Sequence, residues 1–529
     1  MIKFFTKITY IISFSKKKNL LYNKIIILSL FIFFSQLSFS QQLSKVQLLG
    51  ANSIEYDANL GNGAKRVIGN VRFKQDNVIM TCDSAYFYSN KNNFDAFSNV
   101  HVKQDTSLDI YSDFLRHKGD IKIAEFRNNI TLKDDDLTLK TDSLNYNLND
   151  NSGYYFAGGI IIDSSSTLES EYGYYEPNQK LFFFKDSVKV WNEKYTIYTD
   201  TLKYNTQTEV VYFFGPTRII NDTNFLYCEN GWYNTKTDIS QFNENAYYKN
   251  KVQVLKGDSL YYDRQNGIGR AFINVELIDS VENIILKGNY GEYFEEPERA
   301  LIVDSALFIQ ISGEDTLFLH ADTLRSKYDS SGVFRQLKAY YKVKMFRPDF
   351  QAKCDSLIYS FEDSIVKLHN EPIIWSDENQ ITADSIEVHS KNRNLDHFEL
   401  YNSSLIISRD DSIRFNQIEG VNMTGYMKNK ELYKIDVNKK AKTIYFAKDE
   451  EGFIGVNISE SENMIIFLKD NDVERIIYLK KAKASLYPLD EIQEKKLKLK
   501  NFKWLIEHRP LKKEDIFIWD TSEEIKKTE

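Results

Sequence analysis

What this chain has little of already narrows its class. Its 529 residues include 3 cysteines, 7 prolines, 6 methionines and 7 histidines. Scarce proline beside 34 tyrosines and 36 phenylalanines favours strands over helices. The most apolar stretch, Ile25–Phe34, is far shorter than the roughly 20 residues that span a bilayer. With a hydrophobic fraction of 42%, that excludes a polytopic membrane protein. Basic clusters are missing, and aromatics are not interleaved with Lys/Arg patches, which argues against nucleic acid as a partner. The histidines (His101, His117, His320, His369, His389, His397 and His508) are scattered without metal-ligand spacing. No nucleophile elbow, phosphate loop or dinucleotide fingerprint occurs, so the sequence gives no reason to expect an enzyme or a cofactor.

The N-terminus is set apart from the rest. Lys3, Lys7, Lys16, Lys17, Lys18 and Lys24 occur there with no acid, followed by Ile25–Phe34 and then Ser38 and Ser40 flanking Phe39. A basic start, a short apolar run and small residues form an export signal, expected over residues 1–40 with cleavage after Ser40. No cysteine follows the run, which argues against a lipid anchor. Export would leave 62 basic against 75 acidic side chains, an acidic mature chain.

What is present is a repeat. "CDSAYFYSN" at Cys82 is answered by "TDSLNYNLN" at Thr141, "TDTLKYNTQ" at Thr199, "GDSLYYDRQ" at Gly257 and "CDSLIYSFE" at Cys354. Aligned on the acid or amide, the anchors are Asn52, Asp83, Asp113, Asp142, Glu171, Asp200, Glu229, Asp258, Asn289, Asp322, Asp355, Asp384 and Glu419. From Asp113 to Asp258 five successive intervals are each 29 residues. Such constancy marks a stacked repeat architecture.

The columns around the anchor carry the physics. Three residues before it stand Met80, Ile110, Leu139, Leu168, Ile197, Leu226, Leu255 and Leu286. One before it the side chain is small (Cys82, Ser112, Thr141, Thr199, Cys228, Gly257), and four after it is a mostly aromatic column from Tyr56 to Tyr359. Alternation puts one face inward, and it slips by one residue at the anchor, where a bulge or corner is required. An Asp there would cap nearby backbone N–H groups. The fold class predicted is all-β, an elongated array of ~29-residue repeats. The repeat region is expected over 41–427, a divergent β cap over 428–487, and a polar, helix-compatible tail over 488–529.

The column of acids resembles neither a Gly-rich calcium roll nor a pair of catalytic carboxylates, and capping is the simpler reading. The three cysteines all fall in the small column, several rungs apart, so buried thiols are expected and no disulfide is predicted. The aliphatic stripes have two readings. They fill a closed sandwich core, or they line an interior that opens along one seam to admit acyl chains. A structural or adhesive β array, and a polysaccharide-active β helix, stay open as alternatives at this point.

The export pattern, with copies such as "KTDSLNYNLNDNSGYYFAGGIII" (Lys140–Ile162) and "KGDSLYYDRQNGIGRAFINVEL" (Lys256–Leu277), resembles the OstA/LptA family of lipopolysaccharide-transport proteins. The likeness covers roughly residues 45–425, and "NFKWLIEHRPLKKEDIF" (Asn501–Phe517) is similar to the ending of long OstA-like chains in Bacteroidetes. The resemblance implies a twisted β-jellyroll or open sandwich in the periplasm that shields lipid A acyl chains. It also implies partners among the inner- and outer-membrane lipopolysaccharide-transport components, and head-to-tail self-association. On that reading the expected acyl contacts are Met80, Ile110, Leu139, Ile197, Leu226 and Leu255, with no catalytic residue, metal or cofactor.

Overall fold

A computed structural model describes residues 44–519, apart from 57–63, 106, 135–136, 165, 282, 312–315, 329–334, 362, 392–393, 430, 450–451 and 470–471. The expected export signal lies outside the described residues. Within them the chain forms 36 strands, paired antiparallel, and no α-helix. No helix among the described residues is long and apolar enough to cross a membrane.

Each repeat is a hairpin of two strands, and each strand bends once. The burial pattern of Val78–Tyr88 alternates through Val78, Met80 and Cys82, then resumes at Ala85 and Phe87, so the inward face changes phase across Asp83. The slip expected at the anchor is therefore present. The neighbouring strand turns the same corner by a device the columns did not reveal, two consecutive residues in the left-handed region. Ser98–Asn99 (φ 61 and 49), Asn128–Asn129 (63 and 53) and Ile273–Asn274 (58 and 54) are three of these pairs. Asn tolerates that region because its short amide bonds locally. The anchor then ties the two strands together. Asn99 Nδ2 donates to Asp83 Oδ2 at 2.7 Å, and the Asn129 backbone N–H to Asp142 Oδ1 at 3.1 Å. Elsewhere the anchor's own N–H donates to the first left-handed residue's carbonyl, as Glu171 to Asp186 at 3.1 Å and Asp384 to Asn402 at 3.1 Å.

The chain divides into two compact units, residues 1–124 and 125–529. In the first, the aliphatic column continues across the strands as a buried ladder, Phe73–Met80–Val102–Ile110. Inner faces on either side of the corner meet, because Phe73 stacks on Phe94 with ring centroids 4.2 Å apart. This interior is filled.

In the second unit the strands reach 16 to 19 residues toward the C-terminus (Asn394–Arg409, Glu431–Asp449, Gly452–Lys469). There one core runs from Ile302 and Phe308 through Leu357 and Ile386 to Met464 and Ile466, and a separate small cluster forms at Ile444, Phe446 and Val456. The described part of the tail, read as helix-compatible, contains 3-10 turns (Glu494–Lys496, Ile506–His508, Lys513–Phe517) and no α-helix. Docking is the reason: the tail runs back across the outer face of these strands. Gln417 Nε2 donates to the Leu497 carbonyl and its Oε1 accepts from the Leu499 N–H, both at 2.8 Å. Gln380 repeats the clamp on the Lys503 carbonyl and the Leu505 N–H, both at 2.7 Å. Gln351 accepts from Arg509 Nε at 2.7 Å. A backbone held at both its N–H and C=O by side chains cannot also close helical bonds.

Candidate functional site

Between the corner at Glu171 and the core that begins at Ile302, the second unit keeps the same ladders but not the same burial. Position −3 of each repeat pairs across the sheet with the returning strand, giving Leu168–Val190–Ile197–Ile219–Leu226–Tyr248–Leu255–Leu277–Leu286 without interruption. Every one of these nine side chains is half-buried. At one end the ladder passes through the half-buried Ile161 to Leu139 and at the other it meets Phe308; Leu139 and Phe308 are 7% and 2% exposed, so the opening is bounded.

The corner rows beneath this wall are closed. Ser170, Val188, Thr199, Thr217, Cys228, Ala246 and Val275 are all buried. The hydroxyls are satisfied: Thr199 Oγ1 lies 2.8 Å from Thr217 Oγ1, and Thr217 donates to the Gly215 carbonyl at 2.9 Å. Burial pushes the Cys228 thiol up to about 12, leaving it protonated and unreactive at neutral pH. Across the corner Phe184, Leu202, Phe213, Phe242 and Leu260 continue the floor. Glycine is needed where rings lie flat against the sheet: a Cβ on Gly173 would come within 2.2 Å of the Tyr155 ring, and one on Gly231 within 3.1 Å of Phe242.

A second wall rises on the far side, Tyr175–Phe182–Tyr204–Val211–Tyr233, and it too is half-buried. Tyr175 stacks on Phe182 at 4.3 Å, while Tyr233 and Tyr262 turn their hydroxyls outward to Asp238 (2.5 Å) and Glu295 (2.7 Å). Beyond the aliphatic wall the strand turns are polar and regular. Asn192, Asn221 and Asn250 each accept backbone N–H bonds from the residues that follow. The result is a trough with a dry floor, one aliphatic and one aromatic wall, and a polar rim. Chemically it offers dispersion contact and apolar burial along its length.

Of the six residues expected to contact acyl chains, Ile197, Leu226 and Leu255 stand on the half-buried ladder, whereas Met80, Ile110 and Leu139 are buried. Missing from that set were their cross-strand partners Val190, Ile219, Tyr248 and Leu277. A signal for them existed: they too recur at 29-residue intervals, 19 residues after each anchor.

Comparison with known proteins gives three findings. A family model described as OstA-like protein matches residues 43–200 and 195–251. A second, described as LptA/(LptD N-terminal domain) LPS transport protein, matches residues 313–394. Among solved structures, the crystal structure of LptH, the LptA homologous periplasmic component of the lipopolysaccharide transport device of Pseudomonas aeruginosa, matches at 16% identity. That match has a TM-score of 0.19 and covers 20% of this chain and 81% of that one. A search of curated proteins returned no match.

Proposed function

The chain belongs to the OstA/LptA-like family of lipopolysaccharide-transport proteins, and from that premise we propose that it is a periplasmic lipopolysaccharide-binding bridge carrying its ligand to the outer membrane. The observation that carries the reading is the nine-residue ladder from Leu168 to Leu286, inward-facing yet only partly buried, between a filled core on its C-terminal side and the buried Leu139 before it. A β-jellyroll gains nothing by leaving such a stripe in water. An acyl chain laid along it is stabilised by about 0.8 kcal/mol per CH₂ buried. The sugars of the same molecule stay beyond the polar rim, in solvent.

The lipid-facing set in this proposal is narrower than the whole aliphatic column. Ile197, Leu226 and Leu255 touch acyl chains together with Val190, Ile219 and Leu277. Energy for directed movement comes from membrane partners, since the trough itself binds along its length without preference for direction. Ser53–Tyr56, and Lys483–Tyr487 with every side chain but Tyr487 exposed, are short strands that support docking of further strands by such partners or by another copy.

Site-specific crosslinking tests the proposal. A photoreactive residue at Leu226 or Ile197, illuminated in cells that make lipopolysaccharide, is expected to yield a lipopolysaccharide adduct, and one at the buried Ile374 none. Equal labelling at Ile374, or no adduct at either trough position, overturns it.

A further inference from the structure

We infer that the hairpin formed by Ser385–Lys391 and Asn394–Arg409 carries a binding site for one divalent transition-metal ion of the zinc class, on the sheet face opposite the interior. The two strands are antiparallel, with Glu387 opposite Glu399 and His389 opposite His397. Residues two apart share a face, so all four side chains project together. Their interior neighbours, Ile386, Phe398 and Leu400, are buried in the core, which fixes the four on the outer side. His389 and His397 face each other on the two strands of this hairpin. Their separation of eight residues spans a hairpin, which brings the imidazoles face to face at 4.2 Å with planes 9° apart.

The distances suit an ion. His389 Nε2 lies 3.7 Å from Glu387 Oε2 and 3.9 Å from Glu399 Oε2. One ligand atom from each of Glu387, His389 and Glu399 falls within 4.8 Å of the others. Ligand atoms about 2.1 Å from a tetrahedral ion are about 3.4 Å apart, so the two His389 distances close with shifts of a few tenths of an ångström. His389 Nε2 is itself shut off from solvent with no hydrogen-bond partner, although two carboxylates face it at a distance too long for a bond. A buried ring nitrogen in that condition calls for an occupant.

The surroundings already resemble a ligand shell. His397 Nδ1 lies 2.8 Å from Asp396 Oδ2. That bond steadies the ring that stacks against His389. Tyr401 donates its hydroxyl to Glu399, orienting that carboxylate. Glu387 uses its other oxygen to accept from Lys367 Nζ at 2.9 Å. One imidazole and two carboxylates form a mixed N/O donor set, in which the imidazole favours Zn²⁺, Co²⁺, Ni²⁺ or Cu²⁺ over Mg²⁺ or Ca²⁺. Bound there, the ion would bridge neighbouring strands and stabilise the hairpin by mass action.

Cobalt titration of the tag-free full chain tests this. One equivalent of Co²⁺ should produce visible d–d absorption that Zn²⁺ abolishes and Mg²⁺ leaves unchanged. His389→Gln and Glu399→Gln should each weaken binding at least tenfold. Lys367→Ala removes the cation competing for Glu387 and should tighten binding several-fold, a gain that damage to the fold would not produce. Absence of the band in the natural sequence, or equal affinity in His389→Gln, overturns the proposal.

Discussion

Asn274 donates its side-chain Nδ2 to both carboxylate oxygens of Asp258, at 3.2 and 3.4 Å, across the corner that joins two neighbouring strands. Its predecessor Ile273 holds φ at 58° with its side chain 56% exposed. A β-branched residue in the left-handed region carries steric strain, and here no burial offsets it. The same place in other repeats is filled by Gly69, Ser98 or Asn128.

Ile273→Gly is accordingly expected to stabilise this repeat by about 1 kcal/mol, and Asp258→Ala to destabilise it by about 1 kcal/mol. Hydrogen exchange of strands Gln253–Asp263 and Ile268–Asp279 measures both. Opposite signs from two substitutions at one corner identify it as a structural joint. A catalytic acid would leave exchange unchanged.

Acid should weaken the first unit through His117. This ring is fully buried, its Nε2 lies 2.6 Å from Gln75 Oε1, and its Nδ1 has no partner. The Gln75 amide nitrogen is committed to the Ser44 and Gly119 carbonyls, so Gln75 Oε1 accepts and His117 Nε2 is the donor. Protonation would place a second N–H at Nδ1 with nothing to receive it. Burial lowers the pKa to about 4 from 6.5. The unfolded chain therefore binds the proton first. Stability is intact above about pH 6.5 and falls by about 3 kcal/mol as the pH drops toward 4. Exchange rates in Val78–Tyr88 and Leu108–Lys118 should rise across that window, and His117→Phe should flatten the dependence. A flat profile in the natural sequence contradicts the assignment.

The tail should behave as a third layer. Trp375, Ile407 and Gln417 lie on the outer face of their strands yet are 0% exposed. Ending the chain before Pro488 should red-shift Trp375 fluorescence and speed exchange in Asn379–Thr382 and Phe415–Lys428, while Lys65–Gln75 stays as it was. Gln380→Leu leaves the Lys503 carbonyl and the Leu505 N–H unpaired, costing about 2 kcal/mol of docking. Protease sensitivity at residues 497–509 reads that loss directly.

How much of this was legible beforehand differs from element to element. The anchors, the small column with Cys82, Cys228 and Cys354, and the phase slip at Asp83 all follow from local rules, because side-chain alternation in a strand is set by the backbone itself. The left-handed pairs left a faint mark in "SNV", "NNI" and "INV", obscured by tolerance of Ile273. Gln351, Gln380 and Gln417 gave none. A buried amide is written like an exposed one until the segment that covers it is known.

The sequence by itself determined the repeating unit, its inward and outward faces, and the apolar character of both walls, since each depends on residues within one hairpin. Whether an aliphatic rung lies buried, as Ile110 does, or only partly buried, as Leu226 does, was decided only by tertiary structure. Both rungs are written with the same kind of side chain. Burial depends on what the bent strands bring against it from the other side of the corner, and that is a property of distance in space, which no single repeat encodes.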